Sequence, residues 1–374
     1  MKGVVFVRMI FTVLFGVAGV VGASQVIFVP ATELEVLGMG FDSSVTPTPY
    51  SRLPSGSDGT IRADVYDLSL NSAGVTIEFA SNAPEIYLNY TLASQLQCYS
   101  MWHMPSTGVS GVDLYAFNDF SSERNKDEWL FVGNFGPPST SFSGSIGNLG
   151  SGTKKYRAHL PLYNTVNEME IGVEDGFALK SSKTLDISQR VLWYGTSIAQ
   201  GAVASRPGTT FTNVIRNAIG VDVVNLGFSG NCLMELDVAS WLVEVSGVAA
   251  VVVDCLPNMN ASLVTSNTVP LVNKLRAAFG DNVPIILAEG TTYGSAWISD
   301  DVKDDQEAKR SALTSEFNNL IDSGMKNLYY VKGEDLGKGD LDSSPTVEGT
   351  HLTDIGHAWV AEFYSAFLPT VMQK

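Results

Sequence analysis

Cysteine is scarce in this chain: Cys98, Cys232 and Cys255 are the three among 374 residues. Three thiols cannot all pair within one chain, so a disulfide-built scaffold is excluded. Histidine is nearly as rare, at His103, His159, His351 and His357. No C-x-x-C spacing occurs, and these residues form no zinc pattern. Basic residues are few beside acidic ones, 23 Lys and Arg against 39 Asp and Glu, for a formal charge of −16. A phosphate-binding surface needs clustered cations, so nucleic acid is excluded as a partner. The Gly-rich stretch 227–230 is not G-x-G-x-x-G, and no other cradle for phosphate or dinucleotide is visible. No metal or organic cofactor is expected.

Long apolar runs are missing as well, except at the start. Lys2 and Arg8 precede an apolar run over residues 9–21, and Val21-Gly22-Ala23 offers small residues for cleavage. That pattern reads as a signal peptide over 1–23. The other reading is a membrane anchor, but the core is short for a span and no stop-transfer pattern follows. Cleavage would leave a secreted protein, extracellular or periplasmic, with no membrane contact. Export permits disulfides. Cys232 and Cys255 follow neighbouring predicted strands and could bridge or stay as buried thiols; Cys98 is expected to be unpaired.

The chain changes rhythm near residue 186. Before it, short runs at 75–79, 85–90, 112–117, 129–132 and 155–160 are β-like, several alternating apolar and polar residues, with Gly, Pro, Ser and Asn turns between them. Residues 24–185 therefore read as an antiparallel β-sandwich domain with no long helix. After it, apolar runs at 191–194, 221–225, 249–254, 283–288 and 328–331 alternate with helical stretches at 210–219, 236–245, 268–279, 304–321 and 355–367. Residues 186–374 read as an α/β domain, a parallel sheet covered on both faces. Ligands of such sheets bind beyond the carboxyl ends of the strands.

Four loops lie at that edge. Gly195-Thr196-Ser197-Ile198-Ala199-Gln200-Gly201 places a hydroxyl at a strand-to-helix turn; taken alone, such a serine is usually a helix cap. Asn225-Leu226-Gly227-Phe228-Ser229-Gly230-Asn231 has glycines that allow close backbone approach. In Asp254-Cys255-Leu256-Pro257-Asn258-Met259, Asn258 can aim its amide into a cleft or simply make a turn. In Glu348-Gly349-Thr350-His351, a carboxylate three residues before a histidine can fold onto its Nδ1 and leave Nε2 to take a proton. Asp354 fits a cap of the last helix better than a catalytic acid, and His357 fits packing within it.

In this order the four loops resemble the SGNH hydrolases, also called the GDSL esterase and lipase family. Ser197 matches the family's nucleophile block, with Thr196 where Asp is usual. Gly230 and Asn258 match its oxyanion-hole donors, and His351 matches its base, with Glu348 replacing the usual Asp. The third loop departs from the common G-x-N-D form. Segments 50–54, 72–74, 104–108, 160–164 and Asp113-Leu114-Tyr115 look like a β-domain fused before some members. The pairing also resembles two-domain carbohydrate acetylesterases, with a jelly-roll-like first domain and a flavodoxin-like three-layer second one.

The resemblance implies a serine esterase acting through Ser197, Gly230, Asn258, Glu348 and His351 and an acyl-enzyme. Loops short and rich in Gly, Ser, Thr, Asn and Asp shelter no long acyl chain, so short acyl esters, acetyl groups on a glycan foremost, are the expected substrates. Trp102 and His103 could form a sugar-stacking rim, though Trp102 also fits a core role. Two other readings stand beside this one: an inactive carbohydrate-binding protein, and a sugar O-acyltransferase using the same residues.

Overall fold

The computed structural model describes residues 25–94, 102–119, 128–136, 139–337 and 345–372. The leader-like segment and Cys98 lie outside them. The N-terminal region is built of strands β1 (Val26–Pro30), β2 (Glu35–Leu37), β3 (Thr76–Ser81), β4 (Ile86–Leu92), β5 (Val112–Asn118), β6 (Glu128–Phe135), β7 (Ser141–Ile146), β8 (Lys154–His159), β9 (Val166–Glu174) and β10 (Leu179–Ser181). They form two antiparallel sheets, one ordered β1-β9-β4-β7 and the other β10-β3-β8-β5-β6, with β2 added on β3. Alternation decides which faces meet. In β4, Ile86, Leu88, Tyr90 and Leu92 are buried and the residues between them are half-buried. These four pack with Ile77, Phe79, Leu114 and Tyr156 of the other sheet into one core. Two short helices, α1 (Ala63–Ser69) and α2 (Ser106–Ser110), interrupt the strands.

The C-terminal region runs β11 (Arg190–Gly195), α3 (Ser197–Gln200), α4 (Phe211–Ile219), β12 (Asp222–Gly227), α5 (Leu236–Leu242), β13 (Val248–Asp254), α6 (Ala261–Phe279), β14 (Ile285–Ala288), α7 (Asp300–Asp322), β15 (Leu328–Val331) and α8 (Asp354–Met372). The strands form one parallel sheet in the order β12-β11-β13-β14-β15. Every residue of β11 is buried, as a strand covered on both faces requires. Leu192 and Tyr194 point to a core shared with α5, α6 and α7. Val191 and Trp193 point the other way, to a core shared with α4 and α8. The chain is thus an α/β protein with a three-layer parallel-sheet region preceded by antiparallel sheets.

Helix ends differ from the sequence pattern where proline misleads. The spacing predicts a helix from 268, yet α6 starts at Ala261, because the Asn260 side chain caps it by accepting from Leu263 N at 2.9 Å. Pro270 lies inside α6 and Pro369 inside α8, which runs on to Met372. No helix among the described residues is long and apolar enough to cross a membrane.

Candidate active site

Two glycines make the turn that carries Ser197. A Cβ on Gly195 would lie 2.5 Å from the Ala199 Cβ, and one on Gly227 would lie 2.3 Å from Gln200 N. Only their absence lets β11 and β12 approach the start of α3. Ser197 is 7% exposed. Thr196 occupies the cap position but makes no capping bond, and its buried hydroxyl has no partner among the described residues.

The Ser197 Oγ lies 2.8 Å from His351 Nε2. His351 sits in a tight turn between β15 and α8, closed by the Thr346–Leu352 bridge and by Val347 N donating to His351 O at 2.9 Å. Glu348 Oε1 accepts from the His351 backbone N–H at 2.9 Å and faces its Nδ1 at 2.5 Å. A carboxylate can only accept, so Nδ1 donates and the Nε2 lone pair faces the serine hydroxyl. The three side chains thereby form an unbroken hydrogen-bonded path from Oγ to the carboxylate.

Gly230 and Asn258 lie in the loops that follow β12 and β13, at the same sheet edge as Ser197. Phe228 N donates to Gly195 O at 2.8 Å and Ser229 N to Gln200 Oε1 at 2.9 Å, which fixes the Gly230 loop against the serine turn. Gly230 itself is exposed at φ +68°, a conformation that suits glycine. The Asn258 amide donates to Asn231 O, which engages one of its two N–H groups. A disulfide joins Cys232 to Cys255 with Cα atoms 4.9 Å apart, so two fasteners tie these loops together. Of the two states left open for these cysteines, the bridge is the one formed.

Other candidates fall elsewhere. The cap position expected for Asp354 gives way to a longer-range role. It is the first residue of α8, and its carboxylate accepts from Ser205 N at 2.8 Å, Ser205 Oγ at 2.5 Å and Thr209 Oγ1 at 2.9 Å. His357 is fully buried, accepts from Phe211 N at 3.3 Å, and is pushed down to about 4 by burial. His159 is buried edge-on against Tyr115 at 5.1 Å, and burial holds it well below the usual imidazole range. Trp102 is 87% exposed, so it is not a core residue. Its neighbour His103 stands with its ring 5.7 Å from that of His351.

Tyr163, Gln200 and Asp254 lie in segments that the sequence marks, but no local pattern gives their roles. Tyr163 donates its hydroxyl proton to Ser197 O at 3.3 Å. Gln200, fully buried, donates to Leu162 O at 3.1 Å while accepting from Ser229 N. Asp254 closes β13 opposite Gly195, and burial pushes its carboxyl up to about 7. Beside the His351 turn, Gly294 N donates to Gly349 O at 2.6 Å. There a cleft of about 620 Å³ is lined by Tyr293, Trp297, Gln306 and Arg310, with Trp297 80% exposed.

Residues 188–369 match the model of the GDSL-like lipase/acylhydrolase family, and residues 26–179 match GxDLY, the N-terminus of SGNH-hydrolase-type esterases. A solved protein from Bacteroides ovatus, described as a GDSL-like lipase, shares 28% identity over 93% of this chain and 98% of its own, with a TM-score of 0.84. The salicylyl-acyltransferase SsfX3 of a tetracycline biosynthetic pathway shares 16% over 92% and 97%, at 0.71. A family two carbohydrate esterase from Cellvibrio japonicus shares 10% over 94% and 99%, at 0.57. The last two likenesses are of fold. No curated protein sequence matches the chain.

Proposed function

We propose, of a chain that belongs to the GDSL-like lipase/acylhydrolase family and is a carboxylic ester hydrolase, that it cleaves short acyl esters, acetyl groups on carbohydrate foremost. The observation that carries this reading is the unbroken run Ser197 Oγ, His351 Nε2, His351 Nδ1, Glu348 Oε1, at 2.8 and 2.5 Å across its two hydrogen bonds. Ser197 attacks the ester carbonyl while His351 takes its proton. Glu348 holds the tautomer and stabilises the imidazolium. The N–H groups of Ser197 and Gly230 and the remaining amide N–H of Asn258 receive the oxyanion. Losing one such donor typically costs about 3 kcal/mol of transition-state stabilisation. The imidazolium then protonates the leaving alcohol, and water, activated by the same base, cleaves the acyl-enzyme.

Substrate size follows from the surroundings. The cleft beside the His351 turn is lined by an exposed Trp297 together with polar Gln306 and Arg310. An aromatic face with polar neighbours suits a sugar ring more than an acyl chain. Trp102 offers a second such face. The carbohydrate esterase from Cellvibrio japonicus is consistent with this choice. A chain with residues 1–23 as a cleaved leader, a jelly-roll-like domain over 24–185 and a hydrolase domain over 186–374 would act outside the cytoplasm. Its net charge of −16 disfavours anionic membranes and leaves neutral glycans as partners. Acyl transfer to a sugar is the second reading, supported by the likeness to a salicylyl-acyltransferase.

The test compares turnover of p-nitrophenyl acetate, butyrate, octanoate and palmitate, with acetate release from acetylated polysaccharides alongside. Acetate is expected to be fastest, with free acetate released from at least one glycan. Faster turnover of octanoate or palmitate, with no acetate released, would contradict the proposal. Faster acyl transfer to added sugar than to water would favour the second reading.

A further inference from the structure

His103 is far along the chain from Glu348 and His351, which share one tight turn, yet each of the three offers one ligating atom and these atoms lie within 4.8 Å of one another. His103 is brought there by α2, which packs against the loop before α4. A Cβ on Gly108 would lie 2.4 Å from Ala204 O, and Thr107 Oγ1 donates to Ser205 O at 2.5 Å. His103 Nδ1 is covered and has no hydrogen-bond partner among the described residues. The side chains of His351 and Glu348 are 23% and 29% exposed, open to an ion arriving from solvent.

We propose that His103, Glu348 and His351 bind a divalent transition-metal ion of the zinc class, and that the bound ion switches the esterase off. Two imidazoles and one carboxylate form a three-ligand set that zinc accepts, with water in the fourth position. Tetrahedral zinc bonds of about 2.0–2.1 Å place ligand atoms about 3.3 Å apart. Rotamer adjustments of about an ångström bring these three groups to that spacing. A hard ion such as Mg²⁺ prefers oxygen ligands and keeps its waters, so it is not the expected occupant.

Inhibition follows from proton placement and rests on the reading of His351 as the base. The ion enters between Glu348 Oε1 and His351 Nδ1, which takes the ion in place of its proton. A neutral imidazole bound at Nδ1 carries its proton on Nε2, so one proton leaves Nδ1 and one is taken up at Nε2 through solvent. Nε2 then donates to Ser197 Oγ and has no lone pair with which to accept the hydroxyl proton. No bond to substrate forms, and removing the ion restores the original tautomer.

The test has a binding arm and a rate arm. Zinc binding to the Ser197→Ala protein is measured by competition with a chromophoric indicator, in parallel with the Ser197→Ala, His103→Ala and Ser197→Ala, His103→Gln proteins, with folding checked by circular dichroism. Losing one ligand is expected to weaken binding at least ~10-fold. Hydrolysis of p-nitrophenyl acetate by the wild type is followed against ZnCl₂ and MgCl₂, and then with EDTA added. Micromolar zinc is expected to halve the rate, EDTA to restore it, and magnesium to do nothing. The His103 variants, each compared with its own metal-free rate, are expected to need at least ~10-fold more zinc. Zinc that fails to bind, or that binds the His103 variants equally, overturns the site. Zinc that binds without slowing the wild type overturns the switch. A wild type that hydrolyses no ester overturns the esterase reading and the switch with it, while the indicator titration still decides the site.

Discussion

The guanidinium of Arg52 donates to the carbonyl oxygen of Gly227 at 2.6 Å. It also donates to Asn225 O, Leu68 O and Asn71 O, and lies 5.0 Å from the centre of the Phe228 ring. A residue of the N-terminal region thus pins the strand end and loop that lead to Gly230. Arg52→Met would leave four carbonyls without this donor, each loss costing on the order of 1 kcal/mol or more. We expect a fall of about 4 kcal/mol in unfolding free energy and a lower kcat with a smaller change in KM. Denaturant melts and acetate-ester kinetics check this; an unchanged midpoint and kcat would contradict it.

Asp113 and Tyr115, of the segment Gly111-Val112-Asp113-Leu114-Tyr115, bracket Arg206. Asp113 accepts from Arg206 at 2.9 Å, Gly208 N at 2.7 Å and Asn134 at 2.7 Å, and the Tyr115 hydroxyl lies 2.6 Å from Arg206. The 205–209 loop is held from its other side by Asp354, three residues beyond His351. Asp113→Ala removes a buried carboxylate from three donors and is expected to lose about 3 kcal/mol of stability. Asp113→Asn keeps acceptor capacity and should lose less. Equal thermal midpoints for both variants and the wild type would sink this account of the motif.

Acid should weaken the fold through its buried histidines. His357, held near 4 in the folded protein against about 6.5 unfolded, binds fewer protons folded than unfolded between those values. Its contribution is complete above about pH 6.5 and is lost as pH falls towards 4, on the order of 3 kcal/mol at most. His159 acts in the same direction. His357→Asn is expected to flatten unfolding free energy against pH between 6.5 and 4.5. A slope identical to that of the wild type would contradict the burial argument.

The Cys232–Cys255 bridge closes a loop with a sequence separation of 23. Chain-entropy reasoning assigns such a loop about 3 kcal/mol. The paired Cys232→Ser, Cys255→Ser variant should melt several degrees lower and lose turnover, because the Asn231–Asn258 contact then lacks its neighbour. Peptide mapping without reduction should recover residues 232 and 255 in one cross-linked species. Free thiols at both positions in the oxidised protein would refute the pairing.

Local signals carried much of what could be read from the chain alone. The strands of the parallel sheet were legible because burial on both faces leaves near-continuous apolar runs, as at 250–253. The Glu348–His351 contact was legible because three residues span one tight turn. Asp354 was read as a cap because its helix start is local, whereas its partner Ser205 lies 149 residues away. Arg52, Tyr163 and Gln200 make bonds between regions, which no periodicity announces. Trp102 stands exposed beside His103 rather than in the core that its size suggests.

Covalent labelling by a fluorophosphonate probe, followed by intact mass and peptide mapping, tests Ser197 as the nucleophile. One adduct per chain is expected, on the peptide containing Ser197, with loss of ester hydrolysis in step with labelling. His351→Ala should label at least ~100-fold more slowly, since base catalysis contributes about 10²–10⁴-fold, and Ser197→Ala should not label. An adduct on another residue, or ester hydrolysis by Ser197→Ala at the wild-type rate, would contradict that role.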